Sequence, residues 1–165
     1  MERHEILEAV RASLYQIDQP RFYETERGFQ GALLAHLTQR IPGLVGSEGA
    51  IVEQEYQKTL AHHGIRLRPD IIIHRPFHPL HHTSRREGNF AVIALKLKAG
   101  PRKAMSDFRD LGRMIGILNY PFGIFINIDH ARTHSAQIAG EHRPFVISFA
   151  TKLVQGDIRV VESRA

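Results

Sequence analysis

The sequence contains no cysteine and no long apolar run, and both absences narrow the classes of protein to consider. Without cysteine among its 165 residues, the chain has neither a disulfide framework nor a thiolate zinc site. Its apolar runs are too short to span a membrane as a helix. The first eight residues, MERHEILE, are charged and amphipathic, unlike a secretory signal. We therefore expect a cytoplasmic protein with no membrane partner.

The composition is that of an ordinary globular protein, with 42% hydrophobic and 24% charged residues. Its length favours one domain, 1–165, with room for a proper core. We expect a helical N-terminal part over 1–41 and C-terminal strands over 145–163.

Basic residues are concentrated in the middle of the chain. The formal net charge is +5, yet residues 61–103 hold nine Lys or Arg and only two acids. Such a basic zone predicts a polyanionic partner, although a solvated basic surface would give the same count. The nine are Arg66, Arg68, Arg75, Arg85, Arg86, Lys96, Lys98, Arg102 and Lys103.

Hydrophobic periodicity predicts the order α-α-β-β-β-α-β-β-β, which is an α/β chain with a mixed β-sheet flanked by helices. A hairpin turn is predicted at Gly156-Asp157. The predicted elements are helices over 3–16, 23–40 and 103–118, and strands over 51–60, 68–74, 90–98, 122–128, 145–154 and 158–162.

The third helix has one apolar and one charged face in this pattern. The residues predicted to face the core are Met105, Phe108, Leu111, Ile115 and Leu118. The residues predicted to form a solvated face are Asp107, Arg109, Asp110 and Arg113.

Two of the apolar strands each carry one charged residue. Asp70 follows Pro69 at the start of the run Ile71-Ile72-Ile73, and Lys96 stands inside the run over 90–98. If these strands are adjacent and antiparallel, their polar residues converge at one end of the sheet. A carboxylate there suits Mg²⁺, and a neighbouring lysine can orient water and offset charge in phosphodiester hydrolysis.

In these features the sequence resembles the PD-(D/E)xK nuclease superfamily, whose fold is restriction-endonuclease-like. Pro69-Asp70 matches the first motif acid and Lys96 the motif lysine, and the following helix and buried strand occur in the family's order. The resemblance covers residues 22–130. It implies a nuclease that hydrolyses phosphodiester bonds, of DNA by analogy, with Mg²⁺ or Mn²⁺ and a metal-activated water.

The resemblance also implies roles for individual residues. Asp70 would bind metal, Lys96 would position water, and Glu26 on the second helix is the best candidate for a further catalytic, metal-binding carboxylate, with Glu24 as the alternative. Three polar residues would contact the site residues without binding metal themselves, namely Gln30, Glu55 and Gln57. The nucleic-acid contacts would come from Arg68, Arg75, Arg85, Arg86, Lys98, Arg102 and Lys103.

Ala94 departs from the family pattern, because it occupies the catalytic and metal-binding position of the second motif acid. A methyl group cannot bind metal, so we expect little or no activity from the chain as written. Either the natural protein has glutamate here and this chain is an inactivated form, or the chain is naturally degenerate. A degenerate chain would bind nucleic acid without cutting it, as a binding or assembly subunit, or would take an acid from elsewhere.

Each of these residues also has a simpler interpretation. Asp70 suits a turn after Pro69, and Lys96 with Lys98 suits a solvated edge strand. A shifted register would make Lys98 the motif lysine. A homodimer or a larger antiviral-defence or repair complex also stays open.

A run of histidines forms a further alternative. It spans 74–82, mostly on the irregular stretch over 75–89, and predicts a metal-binding loop, a loop that contacts nucleic acid or an exposed loop with no role. Its members are His74, His78, His81 and His82.

Overall fold

The computed structural model describes residues 1–54, 67–80, 84 and 87–164. This part of the chain has the predicted order of elements and forms an α/β structure with a six-stranded mixed sheet. The helices are α1 (Arg3–Leu14), α2 (Glu26–Arg40) and α3 (Pro101–Leu118). The strands are β1 (Ile51–Gln54), β2 (Ile71–His74), β3 (Asn89–Leu97), β4 (Gly123–Ile128), β5 (Val146–Val154) and β6 (Asp157–Arg164).

The six strands are hydrogen-bonded in sequence order. β3, β4 and β5 run parallel to one another, while β1–β2, β2–β3 and β5–β6 are antiparallel pairs. Parallel neighbours need a crossover connection, which α3 provides between β3 and β4. All six residues of β4 are buried, as expected for a strand covered on both faces.

Helices cover both faces of the sheet. One face packs against α1 and α2, where Phe29, Leu33 and Leu37 are fully buried with Ile93 of β3. The opposite face packs against α3, where the Phe108 and Phe125 rings meet edge to face at 4.9 Å. Alternate residues of β3 therefore face different helices.

The start of α2 is three residues later than the sequence pattern predicts. The hydroxyl of Thr25 accepts a hydrogen bond from Gly28 N at 3.0 Å, so Thr25 caps the helix and Glu26 is its first residue. The predicted start at residue 23 is wrong because Pro20–Tyr23 forms a separate 3₁₀ helix. Glu26 consequently lies in the first turn of α2.

The turn between β5 and β6 is one residue earlier than predicted. Gln155 and Gly156 both have positive φ, 53° and 88°, which is the pattern of a type I′ hairpin turn. Asp157 is already the first residue of β6, so its assignment to the turn is wrong.

The buried stripe of α3 also differs from the predicted one. Met105 is 54% exposed, whereas Ala104 and Met114 are buried beside Phe108, Leu111 and Leu118. The prediction for Met105 is wrong because the helix approaches the sheet closely at its small residue, Ala104. None of the helices in the described part of the chain is both long and apolar enough to cross a membrane.

Two glycines of α3 provide a matched test of this packing. A Cβ on Gly112 would overlap the ring of His142, whereas a Cβ on Gly116 would meet nothing within 4 Å. We expect Gly112→Ala to lower the free energy of unfolding by about 1–3 kcal/mol through overpacking. Gly116→Ala should leave it unchanged or raise it by up to about 1 kcal/mol, because alanine favours helix.

Urea denaturation of both variants measures this difference. Replacing His142 by alanine in the Gly112→Ala background should remove the penalty. Equal stabilities for the two single variants would contradict the packing of His142 on α3.

Candidate functional site

The site forms where β3 extends past the start of β2. The last paired residues are Ile71 and Ile93, and continuing this antiparallel register places Asp70 opposite Ala94. Ile72 and Val92, two residues away on each strand, face α3. Asp70, Ala94 and Lys96 are therefore on the α3 face, and the predicted adjacency of the two strands is confirmed.

Two carboxylates complete the edge of β3 that β2 leaves unpaired. Val92 and Lys98 donate their N–H groups toward the β4 side, so the N–H groups of Leu95 and Leu97 point the other way. Leu95 N donates to Asp70 Oδ2 at 2.7 Å, and Leu97 N donates to Glu26 Oε2 at 3.1 Å. Two acids from distant parts of the sequence thus lie along one strand edge.

Gln30 fixes the backbone of Asp70. Its side-chain amide donates to the Asp70 carbonyl at 2.7 Å, and Gln30 is only 4% exposed. A buried amide needs such a partner. The predicted role of Gln30 next to the site is consistent with this contact, which ties α2 to the start of β2.

Lys96 is a cation held among carboxylates. Its Nζ donates to Glu26 Oε1 at 3.2 Å, and both side chains are about one-third exposed. Burial lowers the pKa of Lys96, but the charges of Glu26, Asp107 and Asp70 outweigh it, so the pKa is raised. Lys96 is therefore protonated at neutral pH and acts as a charge and hydrogen-bond donor.

Lys98 does not continue this face. It lies one residue beyond β3 with a φ of 49°, and its Nζ pairs with Asp129 Oδ2 at 2.9 Å. Lys96 is thus the lysine within β3, and this geometry disfavours the shifted register with Lys98 as the motif lysine.

Asp107 is the residue of this site that the sequence pattern misses. It was predicted to be on a solvated face, but its Oδ2 is shielded from solvent and has no hydrogen-bond partner among the described residues. Burial, opposed by Lys96 and reinforced by the charges of Asp70, Glu26 and Asp110, raises the pKa of Asp107 to about 6. Asp107 is therefore partly buried rather than fully solvated, because Ala104 faces the sheet and residue 107 follows it on the same side of the helix.

Ala94 is 9% exposed and belongs to the cluster that contains Ala104 and Phe108. Its methyl group offers no metal ligand. In the extended β2–β3 register, the residue opposite Ala94 is Asp70.

The predicted nucleic-acid contacts have different surroundings. Lys98, Arg102 and Lys103 line a shallow cavity of about 500 Å³ at the N-terminus of α3, and Arg68 is exposed. Arg75 instead donates to the carbonyls of Glu48 and Gly46 at 2.6 and 2.9 Å, which is a structural role. The remaining predicted residues lie outside the described part of the chain, and they are Glu55, Gln57, Arg85 and Arg86.

The described residues contain no group of three or more acidic or histidine side chains arranged to hold a metal ion. His74 Nε2 contacts Glu53 Oε2 at 2.7 Å, which gives it a structural partner. His81 and His82 lie outside the described residues, so the histidine loop stays a prediction.

Comparison of the chain with protein-family models and with curated proteins finds no match.

Asp107 makes the stability of the protein depend on pH. Its folded-state pKa, about 6, is above the value near 4 of an unfolded aspartate, so the folded state binds its proton more tightly. The stability contribution of this group is therefore lost as pH rises from about 4 through 6. We expect Asp107→Asn to be more stable than the parent protein at pH 7.5 in EDTA, with the gain disappearing below about pH 4.

Urea denaturation between pH 4 and 8 measures this gain. Asp110→Asn is the matched control, because Asp110 pairs with Arg113 at 3.7 Å on the surface. A loss of stability at pH 7.5 in Asp107→Asn would show that the carboxylate is a structural partner instead.

Proposed function

We propose that this chain is a small metal-dependent nuclease of the PD-(D/E)xK type. The observation that carries the proposal is the β2–β3 register, which sets Asp70 and Lys96 on one sheet face with Lys96 protonated among carboxylates. A partly buried acid and a partly buried lysine are costly in an apolar sheet. Their convergence favours chemistry on a phosphodiester.

The donor set fits a hard divalent cation. Asp70 and Asp107 offer carboxylate oxygens, and Asp107 Oδ2 lacks a described hydrogen-bond partner. Mg²⁺ commonly binds through one or two carboxylates, with waters and substrate phosphates completing its shell, so a cage of three protein ligands is not required. When bound, the cation would polarise the phosphoryl group and lower the pKa of a water.

The surrounding residues hold this arrangement in place. Gln30 and Leu95 N fix the backbone and the carboxylate of Asp70. Both oxygens of Glu26 are engaged, one by Lys96 and one by Leu97 N, so we assign Glu26 to positioning Lys96 rather than to direct metal binding. The ammonium of Lys96 orients the attacking water and offsets charge that develops on phosphorus oxygens.

The net reaction is hydrolysis of a phosphodiester. The water oxygen forms a bond to phosphorus while the bond to the leaving oxygen breaks. One proton of the water is released, and the leaving oxygen takes up a proton, giving a phosphomonoester and an alcohol. In-line attack needs positioning and electrostatic stabilisation more than covalent chemistry from the protein.

A polyanionic substrate is favoured by a basic cavity just after the end of β3. Lys98, Arg102 and Lys103 line it, at the N-terminus of α3, where backbone N–H groups also favour an anion. DNA is the proposed substrate by analogy with the superfamily. The cavity offers positive charge rather than side chains that would recognise particular bases, so we propose that cleavage is not sequence-specific.

A noncatalytic nucleic-acid-binding subunit is the second candidate. It is favoured by the hydrogen bonds that Asp70 and Glu26 already make to the edge of β3, which give both acids a structural use. It predicts binding without cleavage.

Cleavage assays distinguish the two candidates. We expect Ala94→Glu to cut plasmid, single-stranded DNA or RNA with Mg²⁺ or Mn²⁺ and not with EDTA, because it places the motif acid two residues before Lys96. Adding Lys96→Ala should lower the rate by about 10²-fold or more, as for loss of one stabilising donor. Metal-dependent binding without cutting by Ala94→Glu would favour the binding subunit.

The role of the basic cavity in DNA binding can be tested separately. Arg102→Glu should weaken DNA binding and reduce the slope of log K against log salt by about one, the value for one lost phosphate contact. Arg159→Glu makes the same charge change on β6, where Arg159 is exposed, and should have a smaller effect. Equal losses for both variants, measured by fluorescence anisotropy, would show general electrostatics instead of a cavity.

A further inference from the structure

We propose that Asp129 pairs with the ammonium group of Lys98 in the free protein and that a phosphate group of a polyanionic ligand displaces it. The inference rests on the polyanion binding of the proposed function. It goes further by making Lys98 a phosphate contact that forms only when an internal ion pair breaks, so that Asp129 sets the affinity for the ligand.

Lys98 and Asp129 occupy equivalent positions at the ends of two neighbouring parallel strands. Leu97 and Ile128 are the last paired residues of β3 and β4, so each charged residue is the first one after its strand. Lys98 N donates to Ile128 O at 2.8 Å, and Lys98 Nζ lies 2.9 Å from Asp129 Oδ2. The ion pair therefore lies where both chains leave the sheet.

The backbone conformation of both residues is left-handed, with φ of 49° at Lys98 and 51° at Asp129. Glycine adopts this conformation without penalty and aspartate tolerates it, whereas lysine is an unfavourable residue there. The Lys98 side chain is 63% exposed, and an ion pair to so exposed a group contributes too little stability to offset that cost. A lysine in this conformation therefore indicates that its ammonium group has a use other than stability.

A buried asparagine fixes the backbone beneath the ion pair. Asn127 is fully buried, its Oδ1 accepts a hydrogen bond from Ala99 N at 2.8 Å, and its Nδ2 donates to Arg132 O at 2.9 Å. Ala99 directly follows Lys98, and Arg132 is three residues after Asp129. Because one side chain holds both turns, Lys98 can exchange partners by rotation of its side chain alone.

The basic cavity offers Lys98 a second partner. The described residues that line this cavity of about 500 Å³ are Lys98, Gly100, Pro101, Arg102 and Lys103. Asp129 is not among them, so Lys98 lies between its carboxylate partner and the cavity. A polyanion held by Arg102 and Lys103 brings phosphate oxygens to the cavity, and these accept charge-assisted hydrogen bonds from an ammonium as a carboxylate does.

Displacement costs free energy because the two side chains differ in exposure. Asp129 is only 24% exposed, against 63% for Lys98. When Lys98 turns to a phosphate, the carboxylate of Asp129 stays mostly covered without the ammonium beside it. Asp129 therefore lowers the affinity for a polyanion by the cost of separating the pair.

A double-mutant cycle tests the displacement. The proteins are the parent chain, Asp129→Asn, Lys98→Gln and the variant with both changes. Asp157→Asn is the matched control, because it makes the same charge change at the exposed first residue of β6. Binding of a fluorescein-labelled DNA oligonucleotide is measured by anisotropy in EDTA over a range of salt concentrations, and thermal melting confirms that each variant folds.

We expect Asp129→Asn to tighten binding about two- to fivefold, the range for an exposed ion pair. Lys98→Gln should weaken binding and reduce the slope of log K against log salt by about one. In the Lys98→Gln background, Asp129→Asn should have no larger effect than Asp157→Asn, because no ion pair remains to be broken.

Three results would overturn the displacement while the proposed function stands. Weaker binding by Asp129→Asn would show that Asp129 holds Lys98 in place for the ligand, and an equal gain with and without Lys98 would show general electrostatics. An unchanged slope for Lys98→Gln would exclude Lys98 as a phosphate contact. If the parent chain does not bind the oligonucleotide, both proposals fail, whereas the expected coupling without cleavage by Ala94→Glu would support displacement in a binding subunit.

Discussion

The mismatch in length between β2 and β3 is the constraint on which the site depends. β3 continues for four residues beyond its last pair with β2, so the N–H groups of Leu95 and Leu97 have no neighbouring strand. Buried backbone donors require partners, and the carboxylates of Asp70 and Glu26 provide them. These hydrogen bonds therefore place two negative charges along one edge of β3. They also connect α2 and the start of β2 to β3.

Completion of a strand edge does not by itself require ionised groups. Asparagine and glutamine can also accept a hydrogen bond from a backbone N–H, without the cost of desolvating a charge. Here the edge instead holds two acids, and the adjoining helix adds Asp107, whose shielded oxygen has no described donor. There are therefore more carboxylates around Lys96 than the unpaired N–H groups of β3 require as acceptors. This excess favours a cation-dependent function over a purely structural one, and it places a destabilising group at the proposed centre.

The sequence predicts the order of elements and the convergence of Asp70 with Lys96, because both follow from local patterns. Apolar runs define the strands, and alternation along β2 and β3 fixes which face each charge occupies. Asp107 could not be assigned in this way. Phe108, Leu111 and Leu118 are buried as the pattern predicts, but Ala104 and Met114 are buried and Met105 is not, so the buried stripe lies closer to Asp107 than the pattern indicates. Alanine is too small to mark a buried face by hydrophobicity, and only the close approach of α3 to the sheet reveals it. Similarly, Arg75 looks like a phosphate-binding residue by charge, yet carbonyls of distant residues bind it.

The position of Asp107 relative to the sheet depends on a group of hydrogen bonds just before the start of α3. Asn127 on β4 accepts a hydrogen bond from Ala99 N at 2.8 Å and donates to Ala99 O at 3.2 Å and to Arg132 O at 2.9 Å. His134 Nε2 also contacts Ala99 O at 2.9 Å. Ala99 lies two residues before α3, so these bonds fix where the helix starts relative to β3. An acid on a helix is positioned only as well as the helix itself, whereas an acid at position 94 would be positioned by the strand. Because Asp107 is on α3, its position relative to β3 depends on the buried hydrogen-bond network of β4, which links the stability of the sheet to the geometry of the proposed site.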